Sequence, residues 1–430
     1  MTLSKVMKSE SAVLFTTYQR HKVLADHGKG VYLYDEKGRK YLDFLSGIGV
    51  NALGYAHPAV LKTIREQAAK LIHTSNLFYH PFQSQLAARL TKLAGLDRAF
   101  FCNSGTEAWE GALKFARAYA SVKYPGKGRT KILALENSFH GRSTGALATT
   151  WKEKYRKPFK PLLPGVVFVK FDDVDDLRKK FDGKVCAVCI EPVQGEGGIH
   201  PVSKEFMKVA RELTAKSGAL LLIDEIQSGL GRTGKWFAFQ HYGVKPDVVT
   251  LAKPLAAGIP MGAVLASGKV AEIITPGMHG TTFGGGPLAC ATALTVLDVM
   301  EKDKLVASNA ELGEYFLSGL RALDSCHPEI VDVRGVGLMV GLELDSPELA
   351  KAVTAQMLEE GIIINCTHET TLRFLPPYLI TRKHIETVVA ALDRILTSCA
   401  SNGDALPKKA GKALAGGSKK ATGMGRCKKK

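Results

Sequence analysis

Three features with complementary chemistry, two side chains and a helix start, stand just past short apolar runs in this chain of 430 residues. Lys253 follows Val248-Val249-Thr250-Leu251-Ala252. Delivered by an apolar strand, a lysine is desolvated; its pKa falls, and the neutral amine can form an imine with an aldehyde. Asp224 follows Leu220-Leu221-Leu222-Ile223, and Glu225-Ile226-Gln227 come next. A carboxylate in that place commonly caps the next helix, but beside a pyridine it keeps the ring nitrogen protonated and makes the ring an electron sink. Asn103-Ser104-Gly105-Thr106-Glu107 leads into residues 108–120 of helical period, so Gly105 and Thr106 open a helix. Free amides and the helix dipole favour a phosphate there, although Ser104 and Glu107 also have the spacing of an ordinary cap. A lone lysine is normally solvated, and each signal alone is weak. Together, an imine-forming amine, a carboxylate for a ring nitrogen and a phosphate cradle describe pyridoxal 5'-phosphate (PLP).

The elements that must position these groups alternate. Apolar runs at 99–102, 131–136, 166–171, 185–191, 219–224 and 247–251 are separated by segments of helical period, the pattern of an α/β, mostly parallel sheet with crossover helices. Ligands of such sheets sit beyond the carboxyl ends of the strands. Residues 30–44 read as a hairpin around an Asp/Gly turn. From 302 to 400, amphipathic segments at 305–323, 347–360 and 383–396 alternate with strands at 337–343 and 372–375, the pattern of a smaller α+β domain. The expected division is an N-terminal part of the small domain with the hairpin at 1–75, a large PLP-binding domain at 76–301, a C-terminal small domain at 302–400 and a disordered Lys-rich tail at 401–430.

The net charge of +17 suggests a nucleic-acid partner until it is located. Eight lysines and Arg426 against Asp404 put +8 of it in residues 401–430, which have no apolar periodicity. Nucleic-acid binding is not expected. The eight cysteines lack the spacing of a disulfide framework and read as reduced thiols. On a regular strand Cys186 and Cys189 would point to opposite faces, which argues against a metal site. No apolar run is long enough for a membrane helix, and the first ten residues make a poor secretory or transit signal. The expected location is the cytoplasm, with an organelle as the alternative.

Ser104-Gly105-Thr106-Glu107-Ala108, Phe139-His140-Gly141-Arg142, Glu191-Pro192-Val193-Gln194-Gly195-Glu196, Asp224-Glu225-Ile226-Gln227 and Leu251-Ala252-Lys253 occur in this order. With these motifs the chain resembles the class III aminotransferases of the fold-type I PLP group, from about residue 18 to 396. The resemblance implies a large domain on a seven-stranded, mostly parallel sheet, a smaller α+β domain, and a homodimer whose cofactor site is shared across the interface. Within the family, residues 47–54, 251–255 and 279–283 look most like members acting on N2-acetylornithine with 2-oxoglutarate. Ornithine, succinylornithine and 4-aminobutyrate are the rival amino donors, and a non-catalytic scaffold binding acidic partners through its tail is the rival class.

The same resemblance assigns roles. Lys253 would tether the cofactor as a Schiff base and shuttle a proton. Asp224 would hold the ring nitrogen, Gln227 the ring hydroxyl oxygen, and Phe139 would stack on the ring. Gly105 and Thr106 would bind the phosphate with Thr282 of the second subunit, and Glu225 would belong to the cofactor site. Arg142 would clamp the substrate α-carboxylate, with Thr281 and Tyr18 lining the pocket. Arg373 would pair with Glu196 when acetylornithine is bound and be released to bind a glutamate carboxylate. Trp109, Pro254, Ala257 and Gly286 depart from the family pattern. Trp109 is expected to add bulk on the first turn of the phosphate helix, at a subunit contact.

Overall fold

The computed structural model describes residues 2–401. The terminal helix Arg382–Ser401 takes in the first residue of the expected tail, and the rest of that tail lies outside the described residues.

Seven strands form the central sheet in the order Arg98–Cys102, Gly262–Ala266, Val248–Leu251, Leu220–Asp224, Val185–Ile190, Lys131–Leu135, Val166–Val169. Six are the expected runs, five of them trimmed by one or two residues and the first extended to Arg98. The seventh, Gly262–Ala266, is antiparallel to both neighbours and falls in a small-residue stretch that carried no strand signal. Gly262 is required there, because a Cβ would stand 2.4 Å from the Ser104 carbonyl oxygen. Helices cover both faces, so the inner strands read as continuous apolar runs. On one face Ala112, Leu113 and Ala116 of helix Gly105–Lys123 pack against Ile132, Leu220 and Val248. On the other, Phe206 and Met207 of helix Lys204–Ser217 and Leu297 of helix Pro287–Lys302 pack against Leu133, Val188 and Leu221.

One local expectation fails. Cys186 and Cys189 do not face opposite ways, because the pairing of Val185–Ile190 with Lys131–Leu135 slips between Val185 and Ala187, and both thiols enter the same cluster. A bulge adds a residue and resets the alternation. Burial pushes the Cys186 thiol up to about 11.

The expected hairpin is three antiparallel strands, Ala25–Lys29, Tyr32–Asp35 and Lys40–Asp43, and Ile362–Ile363 from late in the chain pairs parallel with the last of them. Val31, Leu42 and Phe44 share a core with Phe316, Leu320 and Leu392 from helices Leu305–Asp324 and Arg382–Ser401. The second antiparallel sheet, ordered Ile330–Val336, Met339–Leu344, Thr371–Phe374, Asn365–Thr367, joins that core and carries Arg373. Among the described residues no helix is long and apolar enough to cross a membrane.

Candidate active site

A cavity of about 390 Å³ opens beyond the carboxyl ends of the central strands. Its walls include Gly105, Thr106, Phe139, Arg142, Glu196, Asp224, Gln227 and Lys253. Each group arrives from a strand end: Asp224 is the last residue of Leu220–Asp224, and Lys253 stands two residues past Val248–Leu251. The turn after that strand bends sharply, with Lys253 at φ +27 and Ala257 at φ +47. Left-handed backbone strains a residue with a side chain, and here it aims the lysine into the cavity. Burial lowers the Lys253 pKa and the Arg373 charge adds to this, against Asp224, Glu196 and Glu191.

The capping reading of the 103–107 segment holds. The Ser104 hydroxyl accepts the Glu107 amide at 3.2 Å, and the Ser104 carbonyl takes that of Ala108. Those bonds use the third and fourth amides of the helix, so the first two, of Gly105 and Thr106, are the ones a phosphate would meet. A Cβ on Gly105 would come 2.9 Å from Ile226, and one on Gly141 2.5 Å from the Thr106 hydroxyl. At both places the glycine lets a neighbouring side chain pack directly on the backbone of the cradle.

Asp224 is buried and heavily bonded. Its Oδ1 accepts from the Ile226 amide at 3.0 Å and the Thr250 hydroxyl at 3.3 Å, and Oδ2 pairs with His140 Nδ1 at 2.7 Å. A carboxylate offers about four acceptor sites, so one remains for a ring N–H in the cavity. Glu191, one residue past Val185–Ile190, accepts the Phe139 amide at 2.8 Å and the Gly195 amide at 3.2 Å. It thus fixes both the expected stacking ring and the loop bearing Glu196. Burial pushes its pKa up. His140 and Glu191 had been assigned no role. Glu191 carries the same signal as Asp224, an acid ending an apolar strand, but one of its two amide partners, Phe139, is 52 residues away in sequence.

Arg373 Nη1 meets Glu196 Oε1 at 2.5 Å, 3.4 Å from Gln227 Oε1, while Arg373 Nε bonds Asn365 Oδ1 at 3.1 Å. The side chain of Arg373 is 1% exposed and that of Glu196 33%. Burial raises the Glu196 pKa, but the charge and hydrogen bond of Arg373, with Lys253 and Arg142 behind, bring it below its ordinary value. Arg142 lies 3.7 Å over the Tyr155 ring and 5.5 Å over that of Phe139.

Five expected site residues do not line this cavity; Arg373 is one of them, standing behind Glu196 and Gln227. Glu225 points into the protein, accepting the Ala238 and Phe239 amides and the Ser228 hydroxyl. Thr281 is one residue removed, its hydroxyl 3.0 Å from Asn103 Nδ2. Thr282 and Tyr18 are exposed on this chain. Trp109 corrects a further expectation. It is fully buried within one chain, so it makes no subunit contact; its indole stacks on His140 and donates to Thr149 Oγ1 at 2.9 Å.

The residues fit PLP in every part that can be tested: a desolvated amine, an acceptor for a pyridinium, a ring to stack on, and a glycine-lined helix start for the phosphate. This sheet and site define a fold-type I PLP protein. The family model for Aminotransferase class-III matches residues 15–396, and the chain belongs to that family. It is 48% identical over 384 residues to the acetylornithine aminotransferase of Methanocaldococcus jannaschii, covering 88% of this chain and 95% of that one. With the acetylornithine aminotransferase of Aquifex aeolicus it shares 45% over 384 residues, 89% of this chain and 99% of that one. Among solved structures, ornithine aminotransferase from Toxoplasma gondii superposes with a TM-score of 0.89 at 32% identity, over 94% and 96% of the two chains. Acetylornithine aminotransferase from Elizabethkingia anophelis gives 0.82 at 32%, over 93% and 100%.

Proposed function

We propose that this aminotransferase moves the terminal amino group of N2-acetyl-L-ornithine to 2-oxoglutarate, giving N-acetylglutamate 5-semialdehyde and glutamate, a step of arginine biosynthesis. The observation that carries the reading is the Glu196–Arg373 pair, whose Glu196 lines the cavity that Lys253, Asp224 and Gln227 also line, with Arg373 buried behind it. Bound PLP supplies an aldehyde that condenses with amines and a pyridine ring that accepts electrons. Lys253 Nζ, its pKa lowered by burial, takes the proton from the substrate carbon bearing the amine and returns it across the cavity. Asp224 keeps a proton on the ring nitrogen, Gln227 bonds the ring hydroxyl oxygen, and Phe139 covers the ring face. Gly105 and Thr106 hold the phosphate with Thr282 of a second subunit. Arg142 clamps the substrate α-carboxylate, while Thr281 and Tyr18 complete the pocket.

A two-substrate pocket must accept a neutral amide end in one half-reaction and a carboxylate in the other. Pairing Arg373 with Glu196 neutralises it for the first; releasing it serves the second. The solved ornithine and acetylornithine enzymes match at the same identity, so the 48% relative supports the acylated donor over free ornithine. A screen of acetylornithine, ornithine, succinylornithine and 4-aminobutyrate with 2-oxoglutarate decides it: acetylornithine should lead, and a leading ornithine overturns the choice of donor.

A homodimer goes with this reading. Leu77, Phe78, Tyr79 and Phe283 are 66% or more exposed on one chain, close to the Thr282 that a neighbouring site requires. The proposed boundaries are 1–75 and 302–400 for the small domain and 76–301 for the large, and the proposed location is the cytoplasm.

A further inference from the structure

Trp109 stands on the first turn of the phosphate helix, far in sequence from the carboxylate proposed to govern the ring nitrogen, yet a single ring separates them. Its indole lies 4.0 Å from the His140 imidazole with the planes 6° apart. His140 Nδ1 in turn meets Asp224 Oδ2 at 2.7 Å. Both rings are fixed by other bonds. Trp109 Nε1 donates to Thr149 Oγ1 at 2.9 Å, and that hydroxyl donates to the Ala146 carbonyl at 2.9 Å. The His140 amide donates to Thr150 Oγ1 at 3.0 Å. The other imidazole nitrogen, Nε2, is buried and has no partner among the described residues.

That orphaned nitrogen gives the stack its purpose. Asp224 Oδ1 already accepts two donors, so the bond to Oδ2 calls for a proton on His140 Nδ1. In neutral imidazole Nε2 is then a bare acceptor. Water reaching Nε2 could trade donor for acceptor, favour the other tautomer and remove the N–H from Asp224. Trp109, fully buried, covers one face of the ring and fixes its plane. We propose that Trp109 is a positioning residue: its indole keeps His140 flat, dry and in the Nδ1–H tautomer, so that Asp224 stays a carboxylate with one acceptor site turned to the cavity. The proposal rests on the PLP reading for the purpose of Asp224, but its tautomer is a property of the protein without cofactor.

The test separates ring from bulk. Trp109→Phe keeps a stacking face, whereas Trp109→Leu and Trp109→Met fill space without one. In cofactor-free protein with labelled histidine, the wild type should show a downfield, slowly exchanging Nδ1 proton on His140. Phe should retain it, and the aliphatic variants should lose it or exchange it rapidly. PLP binding should weaken about threefold to tenfold in the aliphatic variants and recover in Phe, the range expected of one aromatic pair. Absence of the Nδ1 proton in the wild type overturns the proposal. So does equal behaviour of Phe and the aliphatic variants, which would make Trp109 a core filler, whatever happens to melting temperature. If wild type took up no PLP at Lys253, the proposed function would fall, while the tautomer result would still decide the role of Trp109.

Discussion

Replacing Glu196 by Ala tests the charge switch, and the structure sets what to expect. Arg373 is the fixed member: it is almost fully buried, on the strand Thr371–Phe374, and its Nε bonds Asn365. Glu196 is the movable one, with a third of its side chain exposed, while its carbonyl is tied to the Thr367 hydroxyl at 2.9 Å. Its carboxylate can swing into water without the loop shifting. In Glu196→Ala the guanidinium keeps only neutral acceptors, Asn365, Gly195 and Gln227, and a substrate carboxylate no longer has to displace an internal one. A charge-assisted bond contributes about 1.5–3 kcal/mol. At about 1.4 kcal/mol per decade, preference should move toward glutamate by roughly tenfold to a hundredfold. Stability should fall by less than the roughly 3–5 kcal/mol of a fully buried pair, because Glu196 is partly solvated. Single-turnover rates for acetylornithine and glutamate read the outcome. A parallel fall in both would make Glu196 only a brace for Arg373 and refute the switch, leaving the aminotransferase reading intact.

Three further outcomes are expected, besides those for Trp109. Lys253→Ala should abolish transamination, and borohydride reduction of the yellow wild-type protein should fix the pyridoxyl group on Lys253; labelling of another lysine would contradict the assignment. Burial pushes Glu225 up to about 8 from an ordinary 4.5. Between those values the native state holds a proton that the unfolded state lacks, so this contribution is full below pH 4.5 and lost as pH rises through 8, with a slope of at most about 1.4 kcal/mol per pH unit. Thermal unfolding of wild type and Glu225→Gln from pH 5 to 9 should show the decline flattened in the variant, and equal slopes would disprove it. Removing residues 402–430 should leave melting temperature and turnover unchanged, as their charge excess and lack of periodicity suggest; a large loss of either would show that they act on the body.

What could be read in the chain was whatever depends on neighbours in sequence. Six strands of the central sheet announce themselves as apolar runs, most plainly the inner ones, because a strand covered on both faces has no polar side to show. Asp224 and Lys253 were legible because each follows such a run, and Gly105 and Thr106 because a helix start is a local event. Gly262–Ala266 was missed although Ala263 and Leu265 enter one core cluster and Val264 and Ala266 the other, because it is short and begins at a glycine that a close backbone approach requires. The slip at Val185–Ala187 was likewise invisible, and with it the shared face of Cys186 and Cys189. Tertiary structure alone decided which distant groups share one bond. Glu191 grips an amide 52 residues upstream, Asp224 pairs with a histidine 84 residues away, and Arg373 reaches Glu196 across 177. Trp109 shows the limit most sharply. Its sequence position reads as an outward bulge on a helix, but side-chain direction follows the packing of that helix on the sheet, which turns the indole inward onto His140.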